Sequence, residues 1–415
     1  MSHSQTNTSS TVNSAAKPPG YKELLRNKNY RNLIAAQFVS DFGDGVYALG
    51  LIWAMKQLTG SAGQMSLVLV AEMIPTILFG VFAGAFVDMG NKKRYLISAD
   101  LLRGTIVAVL AGLWMAGVVQ PWMLIAGAFL MSTGSAFFSP ARMVAVRTLV
   151  PTEAMVQAQG LSQTINTVTN LAAPALAAML LWVDISFAFW FDAATFFLSW
   201  LFLSRIRHEE LTQVKVGNVD TKAMTASLKE GFHVIFTTPI LRNLIFYLVA
   251  LNFLVSPIGI LLPTFAPTSA RLAMYDTTFF AGVLLGSILV GFCTKWPRIV
   301  PLAGGLAVAL VGFGSLAFAE HLAVILPCIL FGGIGVTFAN VNLNALFAVK
   351  VPREVLGRAG STVRMMSASA QPISMSLVGW LIVLYGVQDL FLTIGVAGLF
   401  VVGLMLLNPV IRKTD

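Results

Sequence analysis

The residues able to do chemistry in this chain are charged side chains set within long apolar runs. Asp41 and Asp44 lie in one run, three positions apart and so on one helix face. Glu72, Arg142, Asp192 and Arg364 each lie in another. Asp100 and Arg103 share one more, at the i,i+3 spacing of a helical ion pair, and are expected to form a structural pair. A central Asp, Lys or Arg in a membrane-spanning helix costs about 2.5–3.5 kcal/mol even on the most lenient insertion scale, so these residues call for a use. An acid that is neutral in one state of a molecule and charged in another couples proton movement to conformational change. Asp41 and Glu72, acids with no obvious basic partner, are the first residues expected to do this, with Asp44 a third. Asp44 fits equally a packing role beside Gly43 and Gly45, and Asp192 reads as a packing or interface acid. Arg142 has three readings of equal standing: neutralising one of these acids, holding an anionic group of a ligand, or bracing its helix against Asp88. Arg364 would face a cavity or the seam between two halves.

Polar and bulky side chains supply the rest of a candidate cavity. Asn166, Asn170, Asn340 and Asn344 offer hydrogen bonds in apolar surroundings, which serve helix–helix adhesion as readily as ligand binding. Phe38 and Met73 could line a pocket for a bulky apolar ligand, although in a chain with 29 Phe and 17 Met most such residues face lipid or core. The four His are scattered, and no paired metal ligands, nucleophile elbow or phosphate loop occurs. Gly332-Gly333-Ile334-Gly335 follows no strand and reads as close helix packing. No metal, no cofactor and no enzymatic activity are expected.

Membrane-spanning helices must position these residues. With 57% hydrophobic and 11% charged residues over 415 positions, the composition excludes a set of soluble domains. The net charge of +9 is no sign of nucleic-acid binding, because Lys and Arg flank the apolar runs instead of forming one basic face. A ruler of about 20 apolar residues per span gives twelve spans, near 29–57, 62–88, 94–118, 121–150, 154–183, 185–205, 240–263, 274–294, 297–319, 321–350, 354–385 and 387–409. Of 27 Lys and Arg, 22 fall on one side of these spans against only Lys56 and Arg271 on the other, which puts both termini in the cytosol.

The expected fold is therefore an all-α membrane protein of twelve transmembrane helices in two six-helix halves, 29–205 and 240–409, with pseudo-two-fold symmetry. Val150-Pro151-Thr152-Glu153 enters the fifth span and Val351-Pro352-Arg353-Glu354 the eleventh, an echo between the halves. A disordered cytosolic tail is expected over 1–28, a cytosolic linker over 206–239 and a short tail over 410–415. The linker carries an amphipathic helix, with Leu228, Phe232, Ile235 and Phe236 on one face and Lys229, Glu230 and His233 on the other.

The stretch from Gly80 to Arg94 leads from the second span into water. Gly80 and Gly84 share a helix face and predict close approach of a neighbouring helix. Lys92, Lys93 and Arg94 mark the cytosolic side. Asp88, at the boundary, is expected to latch onto the positive N-terminal end of the eleventh helix, just after Pro352, and so close a cytosolic gate.

Gly84-Ala-Phe-Val-Asp88 followed by Lys92-Lys93-Arg94 resembles the signature of the major facilitator superfamily, and the resemblance covers nearly the whole chain. Gln37-Phe-Val-Ser-Asp-Phe-Gly-Asp44, Leu58-Thr-Gly-Ser61, Ala99-Asp100-Leu-Leu-Arg103, Lys229-Glu-Gly-Phe232 and Pro239-Ile-Leu-Arg242 are similar to its twelve-helix drug and siderophore exporters, of macrolide-efflux and enterobactin-exporter type. Ser139-Pro-Ala-Arg142 and Leu343-Asn-Ala-Leu346 resemble a lysophospholipid flippase of the same superfamily. Met89 and Asn91 depart from the signature, and Pro174 keeps the proline of the exporters' fifth-helix pattern without its glycines. The resemblance implies a monomeric secondary transporter in a bacterial cell membrane. Its cargo would be small amphipathic organic molecules, exported by alternating access in exchange for protons. The lysophospholipid flippase is the alternative within the superfamily, and a non-transporting receptor or assembly factor the alternative from another class.

Overall fold

Each long apolar run becomes a helix bounded where a side chain can satisfy the first free N–H groups. In a computed structural model, which describes residues 20–214, 239–293, 299–350 and 356–409 with a few positions at 229–237 and 296–297, the first half holds six long helices. Asn27 caps α1 (Lys28–Thr59), which stops at Gly60 with φ 61°. Ser61 caps α2 (Ala62–Met89) and Asn91 caps α3 (Lys92–Met115), accepting from the Arg94 N–H at 2.9 Å. Asn91, a departure from the family signature, thus gives the helix a better start than glycine would. α4 (Pro121–Leu149) opens on Pro121, whose missing N–H is free of penalty there. α5 (Met155–Val183) and α6 (Ile185–Ser204) complete the half, the latter capped by Asp184.

The second half comprises α7, in two pieces at Pro239–Val255 and Ile258–Phe265, then α8 (Ser269–Leu289), α9 (Ile299–Ser315), α10 (Leu322–Lys350), α11 (Leu356–Tyr385) and α12 (Val387–Leu407). Among the described residues, eleven helices are long and apolar enough to cross a membrane. α1 is the twelfth in the bundle; Gln37, Asp41 and Asp44 along its 32 residues leave it less apolar than the rest.

Three features differ from the sequence expectation. The seventh span is broken at Ser256-Pro257, because a proline lacks the N–H and its ring collides with the carbonyl one turn earlier. α8 begins at Ser269, capped by Thr268, five residues before the expected start at 274, which carries Asp276 two turns into the helix. Residues 20–27, assigned to a disordered tail, instead include a helical turn, Tyr21–Leu24, with Leu24 buried. Of the linker helix, Ile235 is buried, Phe232 stacks on Phe236 at 6.3 Å, and Lys229 and His233 are exposed. Leu228, Glu230, the Val351–Glu354 echo and the two tails, 1–19 and 410–415, lie outside the described residues.

The halves meet along two seams, α2 against α11 and α5 against α8. Advancing every helix by six exchanges one seam for the other, as pseudo-two-fold symmetry requires. Within the second half, Gly282 of α8 and Gly333 of α10 let two backbones touch: a Cβ on Gly282 would lie 3.1 Å from the Leu330 carbonyl carbon and 3.2 Å from Gly333 Cα.

Candidate functional site

The charges of the first half converge. Arg142 Nη1 donates to Asp41 at 3.3 Å, Gln37 Nε2 donates to the other Asp41 oxygen at 3.1 Å, and Ser162 Oγ donates to Gln37 at 3.2 Å. The expectation that Asp41 lacks a basic partner is therefore corrected, and of the three readings of Arg142 the structure has the one that neutralises an acid. The partners lie 101 residues apart, so no local spacing announced them. Arg103 lies between the rings of Phe138 and Phe196, 4.5 and 4.4 Å from their centroids. It pairs with Asp100, as the i,i+3 spacing predicts, and also reaches Asp44 at 3.6 Å. Ser199 Oγ holds the second Asp100 oxygen at 2.5 Å. Asp192 is fully buried against α1, its carboxylate close to Gly43 and Thr195. Glu72 is different: partly buried on α2, its carboxylate has no Lys, Arg or His nitrogen within 4.0 Å among the described residues.

Between the halves lies a cavity of about 450 Å³, lined by α1, α2, α5, α7, α8, α9 and α10. Its walls are apolar except at two side chains, Asn170 on α5 and Asp276 on α8. Asn170 is one of the cavity candidates of the sequence. Asp276 was missed; an acid two residues into a span is ordinary, and only the Thr268 cap reveals that the helix starts earlier. Asn340 lines a separate, smaller cavity of about 90 Å³ among α7, α9, α10 and α12, inside the second half. Asn166 is partly buried near Asn170, and Asn344 is exposed on α10. Phe38, 42% exposed, pairs with Phe42 at 6.1 Å, and Met73 is partly buried on α2. None of these last four lines the central cavity. The Arg364 side chain lies outside the described residues.

The cavity is sealed at the end of the bundle remote from the start of α1. There Lys56 of the first half donates to carbonyls of the second at Pro263 (2.6 Å), Thr264 (3.2 Å) and Ala266. Gly379 of α11 touches Ser66 of α2 in the same layer. At the other end, a Cβ on Gly80 or Gly84 would meet nothing within 4 Å among the described residues, so the close helix approach expected at these glycines is not made by any of them. The reason is geometric: α2 meets α11 around Ser66, roughly 27 Å along the helix from Gly84 at about 1.5 Å per residue. In the hairpin between α2 and α3, Lys92 donates to the Asp88 carbonyl at 2.7 Å and Lys93 to the Ser204 carbonyl at 2.9 Å, while Arg94 is exposed. The stretch at Pro352 that Asp88 was expected to meet lies outside the described residues.

Two six-helix halves around a cavity form the architecture of a membrane transporter. The Major Facilitator Superfamily model matches residues 33–375, and the chain belongs to that superfamily. It is 25% identical over 394 residues to Macrolide efflux protein A of Streptococcus pyogenes, covering 92% of this chain and 96% of that one. It is likewise 25% identical over 399 residues to the multidrug efflux pump Tap of Mycolicibacterium fortuitum, with coverage of 92% and 96%. Among solved structures it resembles the nucleoside transporter NupG in its D323A form (TM-score 0.74, 12% identity, 90% of this chain and 98% of that one). It also resembles a bacterial homologue of the iron transporter ferroportin in its inward-facing state (TM-score 0.70, 16% identity, 91% and 98%). The protein is thus a multi-pass transporter of the bacterial cell membrane, not an enzyme.

Proposed function

We propose that this protein exports amphipathic organic molecules by alternating access, with protons moving inward in exchange. The central cavity carries the reading: apolar walls with one carboxyl and one amide suit a bulky apolar body bearing few polar groups. The efflux relatives support the direction and the class of cargo. The distribution of Lys and Arg supports a cytosolic start for α1; on that orientation the end closed by Lys56 and Gly379 is the outer one, and cargo enters the cavity from the cytosolic end. Glu72 is the first proton carrier in this scheme, because it can exchange a proton without first parting from a cation. Asp41 and Asp44 must each release an arginine to do the same.

Purified protein in liposomes tests this. With an imposed pH gradient, ethidium should accumulate against its own gradient, and a protonophore should abolish the effect. Transport indifferent to the pH gradient would overturn the proton exchange. Movement of labelled lysophospholipid with no ethidium transport would replace the exporter with a flippase.

A further inference from the structure

We infer that Asp276 is a cation subsite of the central cavity, holding the charged centre of a bulky organic monocation whose apolar body fills the remaining space. The inference rests on the reading of this cavity as the cargo site. Asp276 is the one ionisable side chain among the described residues that line it. No Lys, Arg or His nitrogen among the described residues lies within 4.0 Å of its carboxylate. In the first half, Asp41, Asp44 and Asp100 each have an arginine, so their charge is already answered and they offer an incoming cation little.

The surroundings of Asp276 narrow the ligand further. Phe279 and Phe280 follow it by three and four positions, the spacing that places side chains on the same helix face, and both line the cavity. Their rings lie 5.4 Å apart at 72°, presenting aromatic surface beside the carboxylate. A carboxylate with aromatic neighbours suits an organic cation, since ring faces attract positive charge whose hydration has been stripped away. An anion would find no positive side chain among the described lining residues. Asn170 lies on α5 and Asp276 on α8, the two helices of one inter-half seam, so a ligand touching both bridges elements that shift when the halves rock.

The test is equilibrium binding to the purified full chain in detergent, with no gradient present. Tetraphenylphosphonium, a permanent cation, is compared with neutral triphenylphosphine oxide on wild type, Asp276→Asn, Asp276→Glu and Asn170→Asp. The expected result is a loss of about tenfold or more in tetraphenylphosphonium affinity for Asp276→Asn, with little change for the phosphine oxide. Asp276→Glu should recover most of the loss, and Asn170→Asp, which adds a second carboxylate, should tighten cation binding. Equal tetraphenylphosphonium binding by wild type and Asp276→Asn would overturn the inference, as would an equal loss for both ligands or no gain in Asn170→Asp. These outcomes leave the exporter reading standing, whereas failure of wild type to bind either compound would overturn the cargo-site reading itself.

Discussion

Lys56 Nζ, near the far end of α1, donates to the Pro263 carbonyl of α7 at 2.6 Å and so ties the two halves together. The same ammonium reaches the Thr264 and Ala266 carbonyls and sits 5.1 Å from the Trp53 ring centroid. The last carbonyls of a helix have no intrahelical partner and carry partial negative charge, so one Lys satisfies three of them at once.

Removing that tie should open the sealed end of the cavity. Hydrogen bonds to a charged group contribute about 1.5–3 kcal/mol, enough to shift the ratio of sealed to open molecules by roughly tenfold or more. Lys56→Met keeps the stem and loses the donors. Spin labels at the exposed positions Leu58 and Thr268, one in each half, should report a longer distance in a larger share of molecules. An unchanged distance distribution would show that Lys56 is not a seal.

Gly379 makes a second, independent seal. A Cβ there would overlap Ser66 Oγ and lie 2.7 Å from Ser66 Cβ, so Gly379→Ala should disfavour closure of that end. Ser66→Gly removes both atoms, and the double variant should recover the wild-type distribution. Gly84→Ala serves as the contrast, with nothing within 4 Å among the described residues to obstruct it. It should leave this state unaffected and disfavour only an opposite state in which the ends near Gly84 close.

How much could be read in advance depended on whether partners lay close along the chain. The helices follow from apolar runs, and Asp100 with Arg103 follows from their spacing within one turn. Pro257 carried a legible signal for the break in α7, and Thr268 one for the early start of α8, which would have drawn attention to Asp276. Asp41 with Arg142, and Lys56 with Pro263, are separated by 101 and 207 residues. Their meeting depends on how helices pack and how the halves rock, which no local pattern encodes. Lys56 registered in the sequence only as a rare positive charge on the outer side.

Arg103 should be the most costly charge in the first half to remove. Its side chain is 3% exposed, holds Asp100 and Asp44 together and lies between two phenylalanine rings. Deleting one partner of a buried ion pair costs about 3–5 kcal/mol because the other charge is left uncompensated. Arg103→Met should therefore lower the unfolding temperature in detergent markedly, and adding Asp100→Asn should recover part of the loss. Arg103→Lys should recover less than its charge suggests, since an ammonium lacks the planar fork and the stacking. Wild-type stability in Arg103→Met would mean that the cluster is not a structural brace.

Glu72 and Asp41 should separate when each is neutralised. The Glu72 backbone carbonyl accepts from Ser132 Oγ, which anchors its turn of α2 to α4 and leaves the carboxylate unpaired by any described cation. Glu72→Gln should therefore fold normally and still exchange cargo down its own gradient, because binding and rocking need no proton. It should fail to accumulate cargo when a pH gradient is the sole driving force. Asp41→Asn removes the partner of Arg142, whose side chain is 28% exposed, and so strands a half-buried positive charge. That variant should lose stability as well as transport, and Arg142→Gln in the same chain should restore the stability. If Glu72→Gln accumulates cargo as wild type does, the proton passes elsewhere, and the arginine-paired acids become the ones to follow.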